Sequence, residues 1–344
     1  MATPQIRKDT EQLSSAMMLR EMLCGFWVSQ SIYVAARIGV ADLLKDGPQS
    51  CEHLAERAGV DAGALYRVMR TLASYGLFEE SEPQCFGLTP LGSLLQTSVP
   101  MSLRSLAIWN GEVSFKAWGD ALHAVETGQP TTRRVLGMNL FDYLGQKPEV
   151  GQIFNDAMSG LATQVSQAVV SAYDFSGAGK VVDIGGGQGT LLGAILRVYP
   201  EMHAIVFDAP AVVEGANRRL EAMSLAERCQ VVGGDFFERV PEGGDTYLLS
   251  SVLHDWDDEN SLLILRNCRR AMRQNGKLLL IECVIPHSSG PDFSKLLDLQ
   301  MLVVTGGRER TEEQFRTLLS AAGFEVKRII STAVPERIIE AVAV

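Results

Sequence analysis

His254 stands at the end of an apolar run, in SSVLHDWDDEN, with acids directly behind it. An imidazole with an ordinary pKa of about 6.5 can take a proton at neutral pH, which a weakly acidic hydroxyl needs before it can attack an electrophile. For that work the second ring nitrogen should donate to a fixed carboxylate, which sets the tautomer and stabilises the charged ring. Glu282 in LIECVIP and Glu309 in GGRERT are both candidates, and the sequence leaves the choice open. A lone histidine at a strand end more often packs or caps, so the neighbouring motifs decide.

The main neighbour is VVDIGGGQGTLL, residues 181–192, with four glycines within five residues between an apolar strand-like run and an apolar helix-like run. Gly185, Gly187 and Gly189 fall where a chain leaving a strand must turn sharply into a helix beginning near Thr190. Glycine permits positive φ there and lets a ligand come close to the backbone. Such a turn alone serves a tight connection equally well, and it also admits nicotinamide or flavin nucleotides. The flanking acids discriminate. Asp208 closes the next strand candidate, where a carboxylate can accept both hydroxyls of a ribose. Asp235 closes the third, in GGDFF, within reach of an adenine amino group and beside the apolar Phe236. Asp183, just before the glycines, would repel a pyrophosphate but attract an ammonium or sulfonium. The set favours S-adenosylmethionine, which carries both cations and no phosphate.

These groups need a scaffold. From residue 180, KVVDIGG, HAIVFDAP, CQVVGGDFFE, DTYLLSSVLHD and KLLLIECVIP are strand candidates separated by helical stretches, the rhythm of a doubly wound α/β domain. FEVKRIIST and RIIEAVAV, joined by a turn at Ala333 to Glu336, predict an antiparallel hairpin at one edge, for a mostly parallel seven-stranded sheet. His254 then lies at the exit of the fourth strand, and Glu282 ends the fifth beside it. Upstream, residues 100 to 175 read as helical, with Pro148 in the first turn of a helix carrying Ile153, Phe154, Ala157, Met158 and Leu161. Residues 50 to 95 read as a winged helix-turn-helix: Ser50 and Asp61 cap its helices, and two short strands flank a turn at Ser81 to Gln84. Residues 14 to 45 read as helices that are apolar nearly all round, buried either within the chain or against a second subunit. The boundaries expected are 1–100 for the helical and winged-helix domain, 101–175 for a helical linker lining the acceptor pocket, and 176–344 for the cofactor-binding domain.

Composition narrows the partners. The chain of 344 residues has 46% hydrophobic and 21% charged residues and a net charge of -10, with a pI of about 5.1. Acidity argues against nucleic acid and against an anionic membrane surface, and the second winged-helix helix offers only Arg67 and Arg70. Cysteines at 24, 51, 85, 229, 268 and 283 form no CxxC pair and read as free thiols, with neither disulfides nor a metal expected. The polar start MATPQIRKDTEQ has no signal-peptide core, and a cytoplasmic location is expected.

Together, DIGGGQGTLL, FDAP, GGDFF, LHDWDDEN, IECVIP, GGRERT and FNDAM occur in an order that resembles the S-adenosylmethionine-dependent O-methyltransferases of the plant caffeate type and their bacterial polyketide-tailoring relatives, over nearly the whole chain. The resemblance implies a Rossmann-like catalytic domain behind a winged-helix dimerisation domain. It implies His254 as base, Glu282 and Glu309 as its flanking acids, and Gly185, Asp208, Asp235 and Phe236 as cofactor contacts, with S-adenosylhomocysteine as product. It places Phe154, Asn155 and Met158 of FNDAM, Met301, and Asp255 and Trp256 beside the base, at the acceptor. Ser250 and Ser251 stand at cofactor-lining places where family members often carry Lys or Arg, a departure that removes a cation. The resemblance further implies a homodimer through the N-terminal helices, with Phe26 and Trp27 reaching toward the partner's active site. The expected reaction is methylation of a phenolic hydroxyl of a small aromatic metabolite. Nitrogen or carbon methylation, or hydroxylation on the same scaffold, is the rival, less favoured because an amine lone pair has less need of a base. A winged-helix regulator is the rival outside enzymology.

Overall fold

The computed structural model describes residues 4–344, with side chains from Leu13 onward. The chain forms two compact units, the first running to Val113 and the second comprising Ser114–Val344. The stretch 101–175 is therefore divided between them.

In the first unit, the helices Pro4–Leu23 and Gly25–Ile38 carry many exposed apolar side chains, among them Met22 (70%), Leu23 (68%) and Trp27 (60%). Ser50 accepts the amide of His53 and Asp61 that of Ala64, so both expected caps form. The helices they start, Cys51–Ala58 and Ala62–Ser74, bury Leu54, Leu65, Met69 and Leu72. A small antiparallel sheet joins Gln49–Ser50 (β1), Phe78–Glu82 (β2) and Cys85–Leu88 (β3) in the order β1-β3-β2. Its wing turn is tighter than the sequence suggests: β2 reaches Glu82, and Gln84 takes a positive φ of 63°.

The second unit is built on Lys180–Ile184 (β4), His203–Asp208 (β5), Cys229–Gly233 (β6), Thr246–Ser250 (β7), Lys277–Ile285 (β8), Arg310–Thr311 (β9), Phe324–Ser331 (β10) and Glu336–Ala343 (β11). The sheet order is β10-β11-β8-β7-β4-β5-β6, with the two-residue β9 pairing alongside β8. Strands β4 to β8 are mutually parallel, and β11 runs antiparallel to both β8 and β10, giving the expected edge hairpin. Successive side chains of a strand point to opposite faces, and both faces here are covered. Val182, Ile184, Tyr247, Leu249, Leu278 and Leu280 pack on one side with Ile264, Leu265 and Phe315 from helices. Val181, Val206, Leu248, Leu279 and Ile281 pack on the other with Val169, Leu191, Leu192 and Ile195. This double burial is why the strands read as unbroken apolar runs. Chain direction across the sheet reverses between β4 and β7, so a crevice opens beyond the carboxyl ends of those strands. Among the described residues, no helix is long and apolar enough to cross a membrane.

Candidate active site

The glycine turn occupies that crevice. Gly185, Gly187 and Gly189 have φ of 69°, 56° and 71°, values that side-chain-bearing residues rarely take. A Cβ on Gly185 would lie 2.7 Å from Val252 Cγ2, so the Val252 side chain after β7 packs directly on the turn and leaves no room for a side chain at 185. A Cβ on Gly187 would meet nothing within 4 Å, so that face of the turn is open. Gly189 is the N-cap of the helix Thr190–Val198.

Asp208 ends β5 and braces the turn: its Oδ2 accepts the Gly187 amide at 2.8 Å and its Oδ1 the Ala209 amide at 2.7 Å. Burial raises its pKa while these amides pull it back down. Each oxygen keeps a further lone pair for a ribose hydroxyl. Asp183 is 1% exposed, beneath the turn, and a Cβ on Gly186 would lie 2.8 Å from its Oδ2. Its Oδ1 has no hydrogen-bond partner. Burial, and then the nearby Asp208, push the Asp183 pKa up to about 8, so without a cation close by it is largely a neutral acid at pH 7.

Asp235 lies two residues past β6 instead of closing it, because the strand ends at Gly233 and Gly234 follows it outside the ladder. It is exposed, and its Oδ1 accepts the amide of Phe237 at 2.8 Å. Phe236 is half-buried and meets Trp256 edge to face at 6.0 Å. Ser250 ends β7, and Ser251 holds a φ of 54°, a strained conformation at the mouth of the crevice.

After β7 the chain enters a short 3-10 turn, Leu253–Asp255, that carries His254. Its Nδ1 lies 2.8 Å from Glu309 Oε1 and 3.7 Å from Glu282 Oε2, and both acids are buried. Glu282 sits inside β8, which continues to Ile285, so it does not end the strand as expected. Its Oε1 accepts the amides of Val252 at 3.0 Å and Leu253 at 2.9 Å and thereby holds the turn. Glu309 is the direct partner of the ring, and its own amide is tied to Asp298 at 2.9 Å. Desolvation lowers the pKa of His254, but Glu309, Glu282 and Asp255 outweigh it and bring it to about 10. Burial raises Glu282 to about 7 and Asp255 to about 6. His254, Glu282 and Glu309 are also metal-ligating types with donor atoms within 4.8 Å of one another, and Glu282 Oε2 and Glu309 Oε2 have no partner.

The acceptor-side residues are dispersed. Trp256 stacks on Phe141 at 5.7 Å and meets Phe237 at 4.7 Å, so it sits in an aromatic cluster two residues past the base. Met301 is buried on the helix Phe293–Val304, which packs against the His254 turn. Phe154, Asn155 and Met158 are half-buried on the helix Pro148–Ala172, whose packing partners are the helices Leu140–Gln146 and Thr190–Val198. Sequence reasoning missed Gly307 and Arg310. The glycine doublet at 306–307 is a signal of close backbone approach; a charged residue in a loop gives no sign that it is buried.

Comparison with known proteins adds a family-level finding. Residues 118–325 match the O-methyltransferase domain family and residues 20–98 the O-methyltransferase dimerisation domain. The chain is 49% identical to a phenazine O-methyltransferase of Lysobacter antibioticus over 98% of this chain and 99% of that one. It is 34% identical to a phenazine-1-carboxylate N-methyltransferase of Pseudomonas aeruginosa, over 97% of this chain and 99% of the relative. The solved structure of human N-acetylserotonin methyltransferase in complex with S-adenosylmethionine superposes with a TM-score of 0.89 at 29% identity, over 96% of this chain and 97% of that one.

Proposed function

This chain belongs to the O-methyltransferase family, and from that premise we propose that it moves the methyl group of S-adenosylmethionine to a phenolic hydroxyl of a small aromatic metabolite. The observation that carries the proposal is the His254–Glu309 contact of 2.8 Å beside the glycine crevice. The crevice fits the methyl donor: Asp183 keeps a buried, unpartnered oxygen under a turn open at Gly187, and Asp208 keeps lone pairs for the ribose. Asp235 and Phe236 would border the adenine, and Ser250 and Ser251 would line the crevice without adding charge. When bound, the donor supplies an electrophilic methyl carbon on a sulfonium, and S-adenosylhomocysteine is the product.

The chain's own residues supply the proton chemistry. His254 presents Nε2 to the acceptor while Nδ1–H donates to Glu309. A phenol has a pKa of about 10, and a ring held at about 10 makes proton transfer between them nearly thermoneutral. An imidazole with a phenol and an imidazolium with a phenolate are then one protonation state of the same complex, so the charged ring also attracts the phenolate. Glu309 and Glu282 stabilise the positive ring, acting on the reaction through its position and charge. Trp256, Asp255, Met301, Phe154, Asn155 and Met158 shape the acceptor side, which excludes water and fixes the attacking oxygen in line. The protein acts as a homodimer through its N-terminal helices, with Phe26 and Trp27 at the interface.

The second choice is transfer to a ring nitrogen, favoured by the 34% identity to the phenazine N-methyltransferase. Labelled S-adenosylmethionine with a panel of hydroxyphenazines, other phenols, amino-aromatics and N-heterocycles separates the two. Label in a methyl ether, lost in His254→Ala with donor binding retained, is the expected result. N-methylation unaffected by His254→Ala would transfer the assignment to nitrogen.

A further inference from the structure

We infer that Arg310 is a positioning residue for the base: its guanidinium fixes the backbone turn that aims His254 at the acceptor and at Glu309. This rests on His254 being the base. Arg310 is 1% exposed, although it lies in a charged loop segment and a buried guanidinium is costly unless every donor is met. Here the donors are met, and the acceptors share a purpose. Nη1 donates to the carbonyl of Leu253 at 2.9 Å, and Nη2 to the carbonyl of Trp256 at 3.0 Å. Those carbonyls bracket His254 on either side. Nε and Nη2 both reach Asp258 Oδ1, at 3.0 and 2.8 Å, and Nη2 also reaches Ser261 Oγ at 3.1 Å. Asp258 and Ser261 belong to the helix Asp258–Ala271 that follows the turn, so one planar side chain joins the turn to the helix behind it.

The other end of Arg310 is fixed as well. It belongs to β9 and pairs with Val284 of β8, two residues past Glu282. Its chain predecessor is Glu309, and the amide of Arg308 donates to the carbonyl of His254 at 2.8 Å. A single residue thus sets the mutual register of the base turn, the strand bearing Glu282 and the loop bearing Glu309. Lysine cannot substitute, because an ammonium has three donors and no rigid fork with which to reach two carbonyls, a carboxylate and a hydroxyl together.

The test follows the His254 ring itself, so it does not need the acceptor. In protein labelled with 15N-histidine, the His254 signals are assigned by their loss in His254→Ala and then titrated. In the wild type the ring, faced by Glu309, Glu282 and Asp255, should keep its proton well above neutrality. In Arg310→Lys the midpoint should fall toward the ordinary value of about 6.5, with S-adenosylmethionine binding by calorimetry within about threefold of wild type. A folded Arg310→Lys that titrates as the wild type does overturns the inference. So does one that loses donor binding in step with the shift, because the damage would then be general. Should Arg310→Lys not fold, Asp258→Ala and Ser261→Ala each remove one anchor on the following helix. Both should lower the midpoint by a smaller amount, and an unmoved midpoint in both rejects the positioning role.

Discussion

The backbone of Gly307 runs so close to that of His254 that a Cβ at position 307 would lie 2.0 Å from the His254 carbonyl oxygen and 2.4 Å from the Asp255 carbonyl carbon. Both obstacles are backbone, so neither can swing away. Gly307→Ala should push the loop bearing Glu309 off the base turn. The expected cost is about 1–3 kcal/mol of stability, as for overpacked interiors, with a loss of turnover greater than the fall in Tm explains. A variant with unchanged kcat would show that the loop's seating is unimportant for the base.

The two acids around His254 should separate in their pH behaviour. Glu309→Gln removes the charge in direct contact with Nδ1, and a fall in turnover on the order of 10²–10⁴-fold is expected for a mis-set base. Glu282→Gln keeps an oxygen that can accept the Val252 and Leu253 amides, so its loss should be smaller. In the wild type, kcat/KM should rise with pH beyond neutrality as a ring held at about 10 gives up its proton. In Glu309→Gln that limb should move to lower pH. For stability the sign is fixed too. The folded-state pKa lies above the unfolded value of about 6.5, so the contribution is complete below that pH and is lost as pH rises through about 10. A wild-type limb at an ordinary histidine pKa would contradict the cluster.

Local motifs made part of this site legible. The glycine turn, Asp208 and His254 declare themselves because a strand end, a sharp turn and a following helix are consecutive in sequence. The choice between Glu282 and Glu309 is not local: it depends on how β8 and the segment at β9 meet in space, and β9 is too short to leave any periodic pattern. Arg310 is hidden for the same reason, since the carbonyls of Leu253 and Trp256 that make its burial tolerable lie more than fifty positions away. Asp183 is legible as a residue but not as an acid of raised pKa, because the burial that raises it comes from the fold.

Donor binding should be linked to proton release. Asp183 holds a proton up to a pH of about 8 in the free crevice, and a sulfonium and ammonium arriving nearby favour its ionised form. Affinity for S-adenosylmethionine should therefore rise as pH increases from 6 toward 8, the direction in which the carboxyl ionises. Calorimetry in buffers of different ionisation enthalpy should register a fraction of a proton released near pH 7. Asp183→Asn should abolish this linkage while weakening binding, and proton uptake in the wild type would refute it.

The N-terminal helices should hold two chains together. Leu13, Met17, Met18, Leu19, Met22, Leu23, Phe26 and Trp27 are between 48% and 70% exposed on the helices Pro4–Leu23 and Gly25–Ile38. Met18 and Met22, and Leu19 and Leu23, are four apart and line up along the first helix, while Phe26 and Trp27 open the second, and an exposed apolar patch of this kind marks an interface. Sedimentation velocity on the wild type should give a particle of twice the 37.5 kDa chain mass. In Leu23→Glu/Trp27→Glu, charge placed into that contact should shift the population toward the single chain at micromolar concentration. The Asp61 and Ser50 caps and the buried Leu54, Leu65 and Met69 lie outside the altered patch, so helical content should be kept. A wild type that sediments as one chain at every concentration would leave these exposed side chains without a subunit to cover them.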